Sequence, residues 1–391
     1  MVTRPGQHPC FECDRAKLRR RARKWLDDHD ATLRKPPGWA LEVMRLEAAQ
    51  LGYAPEVAEM VHALGVTGVL EGVVWDSFLA GLPAPVADVC RRCIVMFCGR
   101  TGELNAVVSS HPGEGALIRL DWGVLLMWSD ILRHALTLMT ASEQHGILRI
   151  RVSDPPDDAT VRAVASLIWS FRQPRRGFRF VDVLPPLTRD RYTGEPAFGK
   201  ILSFGEDFLI GHEVAHGLVR TGHIGEATGI RAQLRQWFRL KPEIENTWVN
   251  ELSADLAGLN FVAQTASDDQ AMAGVAVASC LIAMSFIGLL ERTVVIRPNV
   301  ELPLSSDSQP EEFAGLTHPP AELRMSILMD LAEQWPDAIR VAAPYQDAIN
   351  QLLTALWRCS EGHCVAPIGV QAWCPAERGP RGWLCEQHGV G

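Results

Sequence analysis

No stretch of this 391-residue chain repeats another, which excludes a solenoid or other repeat array. No apolar run follows the basic residues of "MVTRPGQHPCFECDRAKLRRRARKW", so a secretory signal is not expected. In a cytoplasmic chain of that kind, the ten cysteines are expected as thiols or metal ligands rather than as a disulfide framework. Positive charge is not in surplus. The 38 Lys and Arg face 46 Asp and Glu, a formal net charge of −8, which argues against general binding of polyanions. With 47% hydrophobic and 21% charged residues, the chain is also not of the disordered class. Its length suffices for two or three domains and a sizeable core.

One absence is local. Residues 271–290, "AMAGVAVASCLIAMSFIGLL", carry no charge over about the length that spans a bilayer. Much of the segment is Ala, Gly and Ser, which add little transfer energy, and no basic cluster flanks it to set an orientation. A buried core helix is expected here rather than a membrane span.

What is present reads as α+β, with strands early and helices late. Residues 1–95 read as a helical region broken at "RKPPGW" and "GLPAPVAD". Two β-rich runs around a Pro-Gly turn signal predict a hairpin over 104–123. Helical periodicity follows over 124–145, then strands at "GILRIRV" and "RRGFRFVDVLP". From about 203 the chain turns helical. The division expected is 1–95, 96–350 and a Cys/His-rich tail over 351–391.

The central motif is "GHEVAHGLVRTGH", residues 211–223. Residues four apart share one face of a helix, so His212 and His216 would present two imidazoles to one point. That is the reach of a zinc ion, with Glu213 beside it as a general base. The five-residue pattern is short, and the alternative is three polar residues on an ordinary helix. A third ligand decides. In HExxHxxGxxH proteases the last histidine falls six residues after the second, but that position is Gly222, the required glycine is Val219, and His223 comes one residue late. An acidic ligand remains. "NELSAD" offers Glu251 and Asp255, again four apart, so that Glu251 could bind the metal while Asp255 accepts the free N–H of a ligand imidazole. Taken alone, this pair would read as a solvated helix face.

HExxH followed by ExxxD on a separate helix resembles the gluzincin metallopeptidases. "THPPAELRM" (317–325) looks like the motif that closes the catalytic domain of HtpX-type peptidases, and it is similar to the ending of the Lit-like phage-exclusion peptidases of bacteria. The Lit-like group fits better, because HtpX-type proteins usually have several membrane spans. The resemblance covers roughly residues 100–345 by motif order and spacing. It implies a zincin-like domain, in which a small β-sheet accompanies the active-site helices. It also implies Glu251 as third zinc ligand, and His318 and Arg324 as transition-state stabilisers. A protein substrate is implied too, with bacterial stress or phage defence as the setting. From the residues alone, Pro319 and Pro320 start a helix over "AELRMSILMDLAEQW".

The ends carry the remaining cysteines. In the tail, Cys359, Cys364, Cys374 and Cys385 could form one structural zinc site, with His363 or His388 replacing one of them. Near the N-terminus, "CFEC" (Cys10, Cys13) and "CRRC" (Cys90, Cys93) could close a second four-cysteine site. Separate thiols are the alternative in both places. "RAKLRRRARK" (15–24) is expected as a solvated helix face rather than a nucleic-acid contact, since no aromatics interleave it for base stacking. The function expected is a zinc-dependent endopeptidase. A second reading stays open, that of a metal-scaffolded binding or regulatory protein whose HExxH site is vestigial.

Overall fold

The computed structural model describes residues 13–29, 41, 45, 55–99, 106–111, 113–137, 139–144, 147–152, 196–237, 240–266, 269–294, 319, 321–333 and 335–358. In chain order the elements begin with α1 (Arg15–His29) and α2 (Pro55–Val69). A π-helical turn (Leu70–Trp75) then leads into α3 (Asp76–Gly81) and α4 (Ala84–Cys93). The strands β1 (Ile94–Cys98), β2 (Ala106–His111) and β3 (Gly115–Leu120) precede α5 (Trp122–Thr137). The strands β4 (Met139–Gln144) and β5 (Ile147–Val152) follow, then α6 (Pro196–Arg220), α7 (Ile230–Trp237) and α8 (Pro242–Thr265). The last elements are α9 (Gln270–Val294), α10 (Ala321–Ala332) and α11 (Pro336–Arg358). The architecture is α+β, mostly helical around a small sheet.

The sheet has strand order β1-β3-β2, with β1 parallel and β2 antiparallel to β3. The β2–β3 pair is the hairpin that the Pro-Gly signal predicts. Strand β1 begins inside the region that the sequence marks as helical, because a short apolar run such as "IVMFC" has no period to distinguish strand from helix. The run is continuous because both of its faces are covered. Ile94, Met96 and Cys98 join Ala116, Ile118 and Leu120 in the main core, while Val95, Phe97 and Leu117 pack against Leu18, Ala22 and Leu26 of α1. The boundary expected at residue 95 therefore falls inside a strand, and α1 is part of the same packed unit as the sheet.

The basic run is the outer face of α1. Its apolar residues recur every four positions and face β1 and β3, while Lys17 and Arg21 reach Glu114 in the β2–β3 turn at 2.5 and 2.6 Å. The helix predicted over 124–145 ends at Thr137. Residues 139–144 pair antiparallel with β5 instead, so the partner strand overrides local periodicity. The strand predicted in "RRGFRFVDVLP" lies outside the described residues.

Helix α9 holds the uncharged segment. Val277, Cys280, Leu281, Ile282, Met284 and Phe286 are each fully buried, enclosed by α5, α6, α8, α10 and α11. Each large side chain so buried contributes roughly 1.5–3 kcal/mol, and Ser279 and Ser285 return their hydroxyls to carbonyls one turn back. Among the described residues no single helix is long and apolar enough to cross a membrane. One pair, Ala58–Gly65 and Thr67–Gly81, meets that measure only jointly and is bent by 100° at its break.

Candidate metal centre

Helices α6 and α8 carry the centre, and their closeness depends on two glycines. A methyl group on Gly211 would lie 3.2 Å from the Gly258 Cα, and one on Gly258 would lie 3.1 Å from the His212 backbone nitrogen. On the other side of α6, Gly217 rests on the sheet. A methyl there would meet Ala116 at 3.3 Å and the Ile94 Cδ1 at 3.5 Å. The helix that carries the two histidines is thus held between α8 and the sheet at the residues flanking them.

On α8, Glu251, Asp255 and Gly258 share one face by their spacing of four and three. That face meets α6. The His212 and His216 Nε2 atoms are 3.1 Å apart, and the Glu251 carboxylate oxygens lie 3.4 Å from His212 Nε2 and 3.3 Å from His216 Nε2. Two ligands of a tetrahedral zinc, each about 2.0–2.1 Å from the ion, are separated by about 3.3 Å. The three donors form a triangle of that size, so this donor set fits the ion.

Behind the triangle stands a chain of buried groups. His212 Nδ1 and Asp255 Oδ1 are 2.9 Å apart. An Nδ1–H donated to that carboxylate leaves the Nε2 lone pair facing the other two donors. Asp255 in turn accepts from Arg324 Nε at 2.8 Å and from Arg324 Nη2 at 2.7 Å. Asp255 is 1% exposed and Arg324 5%.

The electrostatics favour a cation. Burial opposes ionisation of Glu251, yet His212 and His216 hold its carboxyl well below the ordinary range. Burial likewise opposes protonation of His212, but Asp255 and then Glu251 outweigh it and push the imidazole up to about 10. Asp255 is buried too, and Arg324 first, then His212, keep its carboxyl low. Groups that draw a proton to His212 Nε2 draw a metal cation to the same place.

The structure brings His212, His216, Glu251 and Asp255 together as the spacing anticipates. Glu213 is half-buried on α6, between the two imidazoles in sequence. Arg324 lies behind the triangle. Its buried guanidinium donates two hydrogen bonds to Asp255, which places it as a support for the His212–Asp255 pair. Its helix α10 starts directly after Pro320, as the Pro-Pro signal implies. His318 lies outside the described residues, as do Cys10, Cys359, His363, Cys364, Cys374, Cys385 and His388.

A second group of donors lies elsewhere. Cys13, Cys93 and His223 each place a ligand atom within 4.8 Å of the other two. Cys90 is not in this group, which corrects the four-cysteine expectation. Its side chain is fully buried in the apolar core, where burial, then the neighbouring Cys93, pushes its thiol up to about 12. Three residues apart on α4, the two cysteines point to different surroundings. Sequence reasoning weighed His223 only against a protease pattern it misses by one residue. The signal that could have found it is the Gly222-His223 step ending α6, a helix-stop glycine followed at once by a ligand-type side chain.

Compared with protein-family models, with curated proteins and with solved structures, the chain matches none. The likeness to the gluzincins therefore stands on the motif residues themselves.

Proposed function

We propose that this chain is a zinc-dependent endopeptidase acting on a protein substrate in the cytoplasm, built on a zincin-like domain. The observation that carries this reading is the triangle of His212, His216 and Glu251 at 3.1–3.4 Å, with Asp255 fixing one imidazole from behind. His212, His216 and Glu251 would hold the ion. A bound zinc supplies Lewis acidity toward a scissile carbonyl and lowers the pKa of a coordinated water to about 7.

The remaining work belongs to the chain's own residues. Glu213 takes a proton from the attacking water as its oxygen bonds to the carbonyl carbon, and returns that proton to the amine nitrogen as the C–N bond breaks. Asp255 keeps His212 in the tautomer whose Nε2 is a ligand. Arg324 keeps Asp255 ionised, so the support remains an acceptor.

The test is a comparison of newly formed protein N-termini in cells making the wild type or Glu213→Gln, with zinc measured in both purified proteins. Cleavage products present only with the wild type, at equal zinc content, support the reading. Identical N-terminal profiles overturn it, and zinc retained without any cleavage would favour the metal-scaffolded binding protein instead.

A further inference from the structure

We propose that Cys13, Cys93 and His223 form a second metal site, of the structural zinc type, that ties the segment before α1 to the end of the helix carrying His212 and His216. This inference does not depend on the peptidase reading. It follows from where three unrelated segments end.

Cys13 lies two residues before α1, Cys93 is the last residue of α4, and His223 lies three residues beyond α6. Their sulfur and nitrogen atoms all fall within 4.8 Å of one another. Three points no farther apart than that share a centre about 2.8 Å or less from each, so shifts of under about 1 Å would bring all three to zinc–sulfur and zinc–nitrogen bond lengths of about 2.3 and 2.0 Å. Two thiolates and an imidazole are the donor types of structural zinc sites.

His223 is held in place by the helix end itself. Gly222 adopts φ +78, the left-handed conformation, and donates its N–H to the Val219 carbonyl at 3.1 Å. The His223 N–H reaches back to the Leu218 carbonyl at 2.9 Å. These two bonds are the Schellman pattern, which sets the direction of the residue after the glycine. Arg220, one turn earlier, donates to the Val108 carbonyl of β2, which fixes the same helix end to the sheet.

A second observation points to a ligand. The Nε2 atom of His223 is buried and has no hydrogen-bond partner among the described residues. Buried polar atoms are nearly always satisfied, and an unpartnered imidazole nitrogen beside two cysteine thiols is placed to donate its lone pair to a cation. The described residues supply these three of the four ligands that a closed structural zinc takes, and Cys10, in the CxxC pair with Cys13, stands outside the described residues.

The consequence is mechanical. About two helical turns of chain separate His216 from His223. A metal at His223 would anchor one end of that stretch to α1 and α4, while the centre at His212 and His216 anchors the other to α8.

The test uses the full-length protein. Zinc per chain is measured by elemental mass spectrometry in the wild type, Cys13→Ser, Cys93→Ser, His223→Ala and His216→Ala. We expect each of the first three variants to lose one equivalent, His216→Ala to lose a different one, and the double variant of His216→Ala with His223→Ala to lose two. In cobalt-substituted protein, thiolate-to-metal charge-transfer absorption should fall in Cys13→Ser and Cys93→Ser and stay unchanged in His216→Ala. Cys13 is half-buried and outside a helix, so Cys13→Ser keeps the test open should Cys93→Ser fail to fold. Unchanged zinc content in Cys13→Ser and His223→Ala, with undiminished charge-transfer absorption in Cys13→Ser, would overturn the proposal. Loss of zinc with His216→Ala alone would leave the first centre standing and remove the second.

Discussion

Arg324 and Asp255, 69 residues apart in sequence, are joined by two hydrogen bonds of 2.8 and 2.7 Å in a place from which water is excluded. Asp255 bonds His212 with the same carboxylate, so the arginine is linked through two hydrogen-bonded side chains to the candidate cation site. Removing it leaves a buried carboxylate without its main counter-charge. We expect Arg324→Met to destabilise the protein by about 3–5 kcal/mol in denaturant unfolding. A loss below about 1 kcal/mol would mean that the pair is not formed in solution.

Asp255→Asn is the milder change at the same place. The amide keeps the shape but no longer stabilises an Nδ1–H on His212 by charge. Zinc affinity, measured by chelator competition, should fall about 10–100-fold. An unaltered affinity would show that the His212 tautomer is set by something else.

Glu213→Gln should leave zinc binding and unfolding behaviour as they are while reducing kcat/KM on any cleaved substrate by about 10²–10⁴-fold. Steady-state kinetics on a substrate recovered from the N-terminal profiling would measure it. Full activity in this variant would take proton transfer away from Glu213.

Much of this was legible in the sequence. A spacing of four on a helix fixes which residues share a face, and that geometry holds wherever the helix forms. HEVAH and NELSAD were therefore readable before their helices were seen side by side. The partner of Asp255 was not. A buried carboxylate demands a cation, but nothing local says which, and the family likeness implies transition-state stabilisation for Arg324. Strand β1 was missed because burial on both faces erases the alternation that marks a strand. Spacing alone does not separate Cys90 from Cys93 in CRRC; the direction in which α4 ends decides which thiol lies near Cys13 and His223.

Glu206 offers a test by pH. It lies on α6, seven residues before Glu213 and on the same face. Burial, with Asp207 beside it, pushes its carboxyl up to about 8 from an ordinary 4.5. Between those values the unfolded chain has released a proton that the folded chain retains. Stability should therefore fall as pH rises through that window, Glu206 being one contributor. Glu206→Gln should flatten the decline in Tm across the same range and raise stability most at its upper end. Parallel Tm profiles for variant and wild type would exclude a raised pKa at this position.

Gly258→Val tests the helix crossing. The added carbons have to displace the His212 backbone or the Phe208 carbonyl, each within 3.3 Å of the first of them. We expect a loss of about 1–3 kcal/mol in stability together with weaker zinc binding. A stable variant with wild-type zinc affinity would mean that α6 and α8 can separate without disturbing the donors.

The missing side chain at Gly217 has a consequence for how such a protein can change. The backbone immediately after His216 lies close to Ala116, Ile94 and Ile118, so the height of the imidazole above β1 and β3 depends on the bulk of ordinary hydrophobic residues. Enlarging Ala116 or Ile94 would tilt the helix and carry the nitrogen with it. On the proposed reading, ordinary drift in the oily interior and tuning of cation affinity become one evolutionary variable, and a survey of substitutions at positions 94 and 116 would read out chemistry while seeming to probe only packing.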